Sequence, residues 1–319
     1  MFLSEATLPI SISPISDESG LGYCLRSISR NGASLHGLRR LLGIDNVGRF
    51  TAKHASHLGR IFRQPSQWFE SSLPSIEKTK PYQRDCYGHR WFSKNNLRLQ
   101  APQVCVPCIH SKGYCRAVWD VSLSTVCGEH QCYLLDFCSK CQKPLRWDRP
   151  RIDVGHCGHL LTSDAVKKAP KVLLDFQTLL ERKFDLLVNQ DSRPVHADEL
   201  DWSVLTLSGM HAALVGFGCK EKPYEVLHSR IRTGAYRTDE WALFTLRGLE
   251  RWSRWITSPP SSNELNSLVS DSLLEHMAVW HDSVQDQKFA VALLERILSK
   301  NLKIVIGGRL ERLSQLELF

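Results

Sequence analysis

The N-terminal part of the chain shows apolar residues at helical spacing, divided into short runs by polar and glycine-containing segments. The runs lie between Ser19 and Asn31, between Ser34 and Gly43, after Thr51, and after Pro65. Serine and threonine favour helix N-caps, and glycine favours helix ends. Asp17 and Glu18 precede the first run, where the helix dipole favours negative charge. The pattern predicts three or four short helices over residues 17–72, around a small core.

Short helices joined by tight turns are typical of helix-turn-helix modules. Arg39, Arg40 and Lys53 could then face a phosphate backbone. A helical bundle that docks a protein partner fits the same pattern, so both interpretations stay open.

Helical periodicity returns after Pro170 and continues towards the C-terminus. The predicted helical segments are 172–188, 202–217, 241–255 and 265–298. The segment 302–319 combines a short β-like run with a basic amphipathic helix, which suits docking of a partner. Trp241, Trp252 and Trp255 are interpreted as core residues.

Two sections of different character separate these helical parts. Residues 78–104 mix cations with aromatic side chains, a composition that can stack on bases or can anchor a linker onto its neighbours. Residues 105–165 are rich in cysteine and histidine. We therefore expect a mainly α protein in four parts. They are an N-terminal helical domain (1–77), a basic aromatic linker (78–104), a tandem zinc-finger module with short β-hairpins (105–165) and a C-terminal helical domain (166–319).

Composition limits the class of protein and the cellular compartment that we expect. The chain of 319 residues is 42% hydrophobic and 23% charged, which is ordinary for a globular protein. Neither a signal peptide nor a long uncharged apolar stretch occurs, so we expect a cytoplasmic bacterial protein without membrane contact. In a reducing compartment, closely spaced cysteines are typical of metal sites rather than of disulfides.

The net charge of +8 is unevenly distributed. Residues 1–160 carry 21 Lys and Arg against 12 Asp and Glu, whereas residues 161–319 carry 20 against 21. The basic half is therefore the half with the cysteine-rich section. Such a field attracts polyanions, although many basic surfaces serve only solubility.

A first metal site is predicted from two pairs of ligands. Cys105 and Cys108 form a CxxC knuckle, and Cys127 with His130 forms a CxxH pair. Three cysteines and one histidine make up a common tetrahedral structural zinc set.

A second site is predicted further along the chain. Cys138 and Cys141 form another CxxC knuckle, and Cys157 supplies a third ligand. The fourth ligand is His159 or His156, and we prefer His159 because residues one apart turn towards one ion more readily than adjacent residues. We thus expect two zinc ions.

The remaining cysteines lack a partner at knuckle spacing and are interpreted as small buried hydrophobes. They are Cys24, Cys86, Cys115, Cys132 and Cys219. A catalytic zinc usually keeps one position open for water, whereas four protein ligands close the site. We therefore expect a binding module and no enzyme. A second site with only three protein ligands is the one arrangement that would leave a catalytic metal open.

The amino-acid sequence from Cys105 to Leu145 resembles the TniQ/TnsD family of transposon target-selection proteins. The shared features are the Cys105–Cys108 knuckle, Gly113-Tyr114, Arg116, Trp119, the Thr125-Val126-Cys127 run with His130, Leu134-Leu135, and the Cys138–Cys141 knuckle. The last knuckle departs from the common Cys-x-Cys-Gly, because the chain has Gly155-His156-Cys157-Gly158. The start of the chain, through the Ser34–Gly43 segment, is also similar to that family.

The resemblance implies an adaptor without catalytic activity. Family members mark a target DNA and recruit an AAA+ regulator of the TnsC type, which brings the transposase. Some read DNA directly, and others work as homodimers on a CRISPR surveillance complex with its guide RNA. The length of the chain favours the guide-RNA type. An autonomous, sequence-specific, zinc-containing DNA-binding protein is the alternative.

Overall fold

The protein is described from a computed structural model, which covers residues 7–45, 50–75, 84–87, 89–91, 96–185, 202–218, 236–257, 277 and 283–298. The chain divides into two compact units. The first comprises residues 1–190 and 230–242, and the second comprises 191–229 and 243–319. The finer division into four parts stays a prediction.

The first unit opens with four short α-helices. They are α1 (Gly20–Arg30), α2 (Leu35–Leu41), α3 (Ala55–Phe62) and α4 (Ser66–Ser72), with a 3-10 turn at Ala52–His54 leading directly into α3. Ser19 caps α1 by accepting a hydrogen bond from the Gly22 N–H, and Ser34 caps α2 in the same way through Gly37. These boundaries agree with the polar and glycine signals in the sequence.

Aromatic side chains fill the space between these helices. The ring of Tyr23 lies 5.6 Å from that of Phe62 and 5.8 Å from that of Phe69, and all three residues are buried. A short turn joins α3 to α4, with Arg63 in the left-handed conformation. Gly59 permits this approach, because a Cβ there would lie 2.8 Å from the Gln64 carbonyl oxygen. The α3–α4 pair therefore has the compact form expected of a helix-turn-helix.

The acidic residues before α1 have another role than the predicted one at the helix dipole. The first turn of α1 holds no acidic side chain. Instead, buried Glu18 accepts two 2.6 Å hydrogen bonds from Arg26. Asp17 accepts from the Tyr114 hydroxyl at 2.7 Å and from Arg116 Nε at 3.0 Å. These carboxylates thus fasten the segment before α1 to its surroundings.

Among the described residues of the first unit, two small hairpins and two further helices follow. Strands β1 (Arg84–Cys86) and β2 (His89–Trp91) pair antiparallel within the predicted linker. Then follow α5 (Val106–Lys112), a 3-10 turn at Ala117–Asp120, the antiparallel strands β3 (Val126–Cys127) and β4 (Cys132–Tyr133), a 3-10 turn at Ser163–Ala165, and α6 (Lys171–Asp185). Helix α6 is tied to the cysteine-rich section by Gln177, which bonds the Ser124 hydroxyl.

The described part of the second unit is helical. It holds a 3-10 turn at Trp202–Val204, α7 (Leu207–Gly218), most of α8 (Thr238–Thr257) and α9 (Val284–Leu298). Its core is aromatic: the Trp252 ring lies 5.2 Å from Trp202, 5.5 Å from Phe217 and 5.6 Å from Phe289. Buried Asp286 accepts a 2.9 Å hydrogen bond from the Thr206 N–H, just before α7 begins.

The prediction of a mainly α fold with short hairpins in the cysteine-rich section is confirmed for the described residues. Trp241 and Trp252 are buried, as expected of core residues. The segment 302–319, Cys219 and most of the segment 258–282 lie outside the described residues. Among the described helices, none combines the length and the apolar character that a membrane crossing requires.

Candidate metal centre

The first group of metal-binding residues lies where α5 meets the β3–β4 hairpin. Cys105 is the N-cap of α5 and Cys108 lies in its first turn, so the helix start brings both thiols together. Cys127 ends β3, and His130 lies in the turn that leads to β4. All three cysteines are buried, and the histidine is half-buried.

The ligand atoms of this group have the dimensions of a tetrahedral metal site. Each lies within 4.8 Å of all the others. The Cys108 and Cys127 sulfurs are 3.7 Å apart, and His130 Nδ1 lies 3.1, 3.6 and 3.8 Å from the sulfurs of Cys108, Cys105 and Cys127. Zinc–sulfur bonds of about 2.3 Å at tetrahedral angles require sulfur–sulfur edges of roughly 3.8 Å. The donors therefore fit zinc in both chemistry and spacing.

Hydrogen bonds around Cys127 favour its thiolate form. The His130 N–H donates to the Cys127 sulfur over 3.5 Å. Hydrogen bonds from the Cys105 and Cys108 thiols, together with those from His130, lower the pKa of Cys127. Because a metal binds thiolate rather than thiol, these contacts favour the form of Cys127 that binds.

Cys132 also lies beside the first group, which the sequence analysis did not predict. It faces Cys127 in the register of the hairpin, and its sulfur lies 3.9 Å from that of Cys105. It is buried, as expected, but it does not belong to the mutually close set of four. The short Cys127-x-x-His130-x-Cys132 spacing was the signal that could have indicated this proximity.

The second group contains three of the four predicted ligands. The sulfurs of Cys138, Cys141 and Cys157 lie within 4.8 Å of one another, and those of Cys138 and Cys157 are 3.6 Å apart. Gly155 permits the close approach, since a Cβ there would lie 2.7 Å from the Cys138 sulfur. Burial falls from Cys138 to Cys157, so this group is more open to solvent than the first.

Neither candidate histidine completes the second group through its side chain. His159 instead contributes its backbone: its carbonyl accepts from the Gly155 N–H at 2.8 Å, and a backbone hydrogen bond from His159 lowers the pKa of Cys157. The His156 side chain is exposed, with Nδ1 4.0 Å from Asp148. The structure therefore brings together three sulfurs and leaves the predicted choice of His159 open.

Ionic contacts, half-buried at Arg116 and buried at Asp136, connect segments of the first unit around this group. Arg116 joins Asp17, at 3.0 Å, to Glu181 of α6, at 3.1 Å. Asp136 accepts from Arg98 at 2.8 Å and from the Thr238 N–H at 2.7 Å, which caps the start of α8. Residues far apart in the sequence are thus fixed around the cysteine-rich section.

The sequence profile described as TniQ matches residues 9–134. Over these residues the chain is similar to the TniQ family. The matched region contains α1 to α5, the β3–β4 hairpin and the complete first group, and it ends before the second group. A comparison with the curated proteins finds no match.

The match to TniQ covers several residues that the sequence resemblance singled out. Arg116 supplies the ion pairs to Asp17 and Glu181, and the Tyr114 hydroxyl also bonds Asp17. Trp119 is almost completely buried, at 1% exposure. The TniQ domain links the chain to DNA transposition and to target selection in general. The predicted association with a CRISPR complex stays a prediction.

Proposed function

We propose that this protein is a target-selection adaptor of DNA transposition, without catalytic activity of its own. It links a target-bound complex, of the guide-RNA surveillance type, to an AAA+ regulator of the TnsC type. The observation that carries the proposal is the TniQ domain over residues 9–134, whose N-terminal helices and first Cys/His group belong to one compact unit.

Two zinc ions would serve this function as structural elements. Cys105, Cys108, Cys127 and His130 would hold the first, and Cys138, Cys141 and Cys157 would supply three donors to the second. Structural zinc contributes folding free energy directly, and it fixes the loops between its ligands. An adaptor needs such fixed loops, because ordering them at the moment of binding would weaken its affinity for a partner.

The ion pairs of Arg116 support an adaptor role, because they connect separate parts of the domain. Through Asp17 and Glu181 they join the segment before α1 to α6, with the first metal group between them in the sequence. A rigid connection of this kind allows one part of the domain to hold the target complex while another holds the regulator. We further propose that the chain acts in the cytoplasm as a homodimer.

The test is a recruitment assay with the zinc-loaded full chain. Target DNA with its surveillance complex is immobilised, and retention of the AAA+ regulator is measured with and without the chain. We expect retention only when the chain is present and expect Cys108→Ser to abolish it. Cys24→Ala, a change at a buried cysteine of α1 outside both groups, is the matched control and should retain the regulator.

The alternative, an autonomous DNA-binding protein, is favoured by the compact α3–α4 pair. A gel-shift assay with the chain alone separates the two proposals. Tight binding to one duplex sequence, with no partner present, would support the alternative and contradict recruitment through a surveillance complex. Equal retention of the regulator without the chain would contradict the adaptor proposal itself.

A further inference from the structure

A fifth sulfur lies beside the first Cys/His group. The sulfur of Cys132 is 3.9 Å from that of Cys105, and Cys132 is only 6% exposed. Two thiolates that bind one zinc ion at tetrahedral angles lie roughly 3.8 Å apart. Cys132 is thus at the distance from Cys105 that two ligands of one ion require, although it lies outside the mutually close set of four. The group therefore has one donor more than a tetrahedral site uses.

The register of the β3–β4 hairpin places Cys132 on the same face as a member of that set. Cys127 and Cys132 are directly opposite partners in the antiparallel pair. Side chains of directly opposite residues stand on one face of a sheet. Because Cys127 belongs to the set of four, the backbone pairing brings Cys132 to the metal group independently of the sulfur distance.

The strand that carries Cys132 is held on its other side as well. The Tyr133 N–H donates to the Lys167 carbonyl at 2.9 Å, and Cys132 forms an antiparallel bridge with Lys168. A strand that is paired on both sides keeps its backbone in place. The thiol of Cys132 is therefore held beside Cys105, and rotation of its side chain is the movement left to it.

His130 is placed less firmly than the other members of the set. It lies in the turn of residues 128–131 that joins β3 to β4, whose neighbouring side chains Glu129 and Gln131 are exposed. Gln131 has a left-handed φ of 52°. The three cysteines of the set are buried, whereas the histidine is half-buried. A ligand on an exposed turn can leave the metal at less cost than a ligand in a buried helix or strand.

We propose that Cys132 is an alternative fourth ligand of the first metal centre, which takes the place of His130. The metal is then held by Cys105, Cys108, Cys127 and Cys132. Three cysteines with a histidine, and four cysteines, are both closed structural zinc sets. In the exchange the metal–nitrogen bond breaks and a metal–sulfur bond forms, and the proton of the Cys132 thiol passes to solvent, because a metal binds thiolate.

The exchange has a consequence for the exposed turn. The turn can move, for example on contact with a partner, without release of the metal. His130 and Cys132 both come from the hairpin, whereas Cys108 comes from α5, so we expect no replacement of Cys108. The inference rests on the zinc centre of the proposed function and extends it to a residue outside the predicted ligand set.

The first test is elemental analysis of full-length variants, purified with zinc and a phosphine reductant. His130→Ala should keep the wild-type zinc content, because Cys132 completes the site. The double variant His130→Ala with Cys132→Ser should lose about one zinc per chain. The matched control is His130→Ala with Cys24→Ala, which removes a cysteine outside both groups and should lose none. Cys108→Ser should lose about one zinc per chain, because the α5 ligand has no replacement.

Cadmium NMR identifies the donors without use of the double variant. The resonance of the first centre is the one that Cys108→Ser removes. A sulfur ligand shifts a cadmium resonance further downfield than a nitrogen or oxygen ligand does. In the cadmium-loaded chain, His130→Ala should therefore move this resonance downfield, and Cys132→Ser should leave it in place.

The inference is wrong if His130→Ala alone loses about one zinc, or if the double variant loses none. An upfield shift in cadmium-loaded His130→Ala would also overturn it, because water rather than sulfur would then occupy the fourth position. Full zinc retention by Cys108→Ser would contradict the zinc centre itself together with this inference. Since no DNA or AAA+ regulator is present in these measurements, the adaptor proposal and this inference can fail separately.

Discussion

Asp136 offers the sharpest test of how the cysteine-rich section is held in its unit. Its carboxylate is 5% exposed and accepts from two groups that are distant in the sequence, Arg98 Nη2 at 2.8 Å and the Thr238 N–H at 2.7 Å. The substitution Asp136→Ala removes both acceptor bonds. It also leaves the Arg98 guanidinium, with a side chain 6% exposed, without its carboxylate.

The expected loss follows from this burial. Removing one partner of a buried ion pair typically costs about 3–5 kcal/mol, since the remaining charge stays desolvated and unpaired. Two carbonyl oxygens, of Ala101 and Tyr236, still accept from Arg98. We therefore expect the free energy of unfolding to fall by about 3 kcal/mol. Asp136→Asn keeps an acceptor for the Thr238 N–H and should lose less.

The assay is urea unfolding of the zinc-loaded chain, followed by tryptophan fluorescence. Asp153→Ala is the matched control, because it breaks an ion pair to Arg151 whose arginine side chain is 57% exposed. Exposed pairs contribute about 0–1 kcal/mol, so the control should change little. The double variant Arg98→Met with Asp136→Ala should be more stable than the single Asp136→Ala variant, as no buried charge is left unpaired.

A loss of under about 1 kcal/mol for Asp136→Ala would refute this reasoning, as it would place the pair in the range of exposed ones. So would a double variant whose loss equals the sum of the two single losses, because that result would mean that Arg98 and Asp136 do not interact.

Four further predictions test other parts of the structure. Burial raises the pKa of Asp120 to about 7, from an ordinary 3.8, so the folded chain holds a proton that the unfolded chain releases. The stability that this proton contributes is fully present below about pH 4 and is lost as the pH rises through about 7. In that window the free energy of unfolding of the wild type should fall by up to about 1.4 kcal/mol per pH unit. Asp120→Asn should flatten this fall when unfolding is measured in urea. Cys108→Ser and Cys141→Ser should each release about one zinc per chain in elemental analysis, whereas Cys24→Ala should release none. Gly20→Ala should destabilise the fold by about 1–3 kcal/mol in thermal melts. The cause is that its Cβ would lie 2.4 Å from the Ser72 carbonyl oxygen; Gly37→Ala, whose nearest neighbour atom is 3.5 Å away, should show no such loss. His159→Ala should lower the metal content more than His156→Ala, and the reverse order would assign His156 as the ligand.

The sequence was sufficient for features that depend on local geometry. A CxxC or CxxH pair closes within one turn, so the spacing of Cys105, Cys108, Cys127 and His130 already indicated that they would meet. Capping residues indicated the starts of α1 and α2 in the same way, because a cap acts on the helix that follows it.

Tertiary structure alone decided the contacts between distant segments. Nothing in the sequence around Asp136 indicates that it pairs with Arg98, 38 residues earlier, and caps a helix at Thr238, 102 residues later. The position of Cys132 beside Cys105, and the backbone hydrogen bond of His159 to Cys157, likewise depend on how the hairpin and the knuckle pack. Spacing along the chain fixes which groups can share a turn, whereas burial and packing select which of the remaining groups meet.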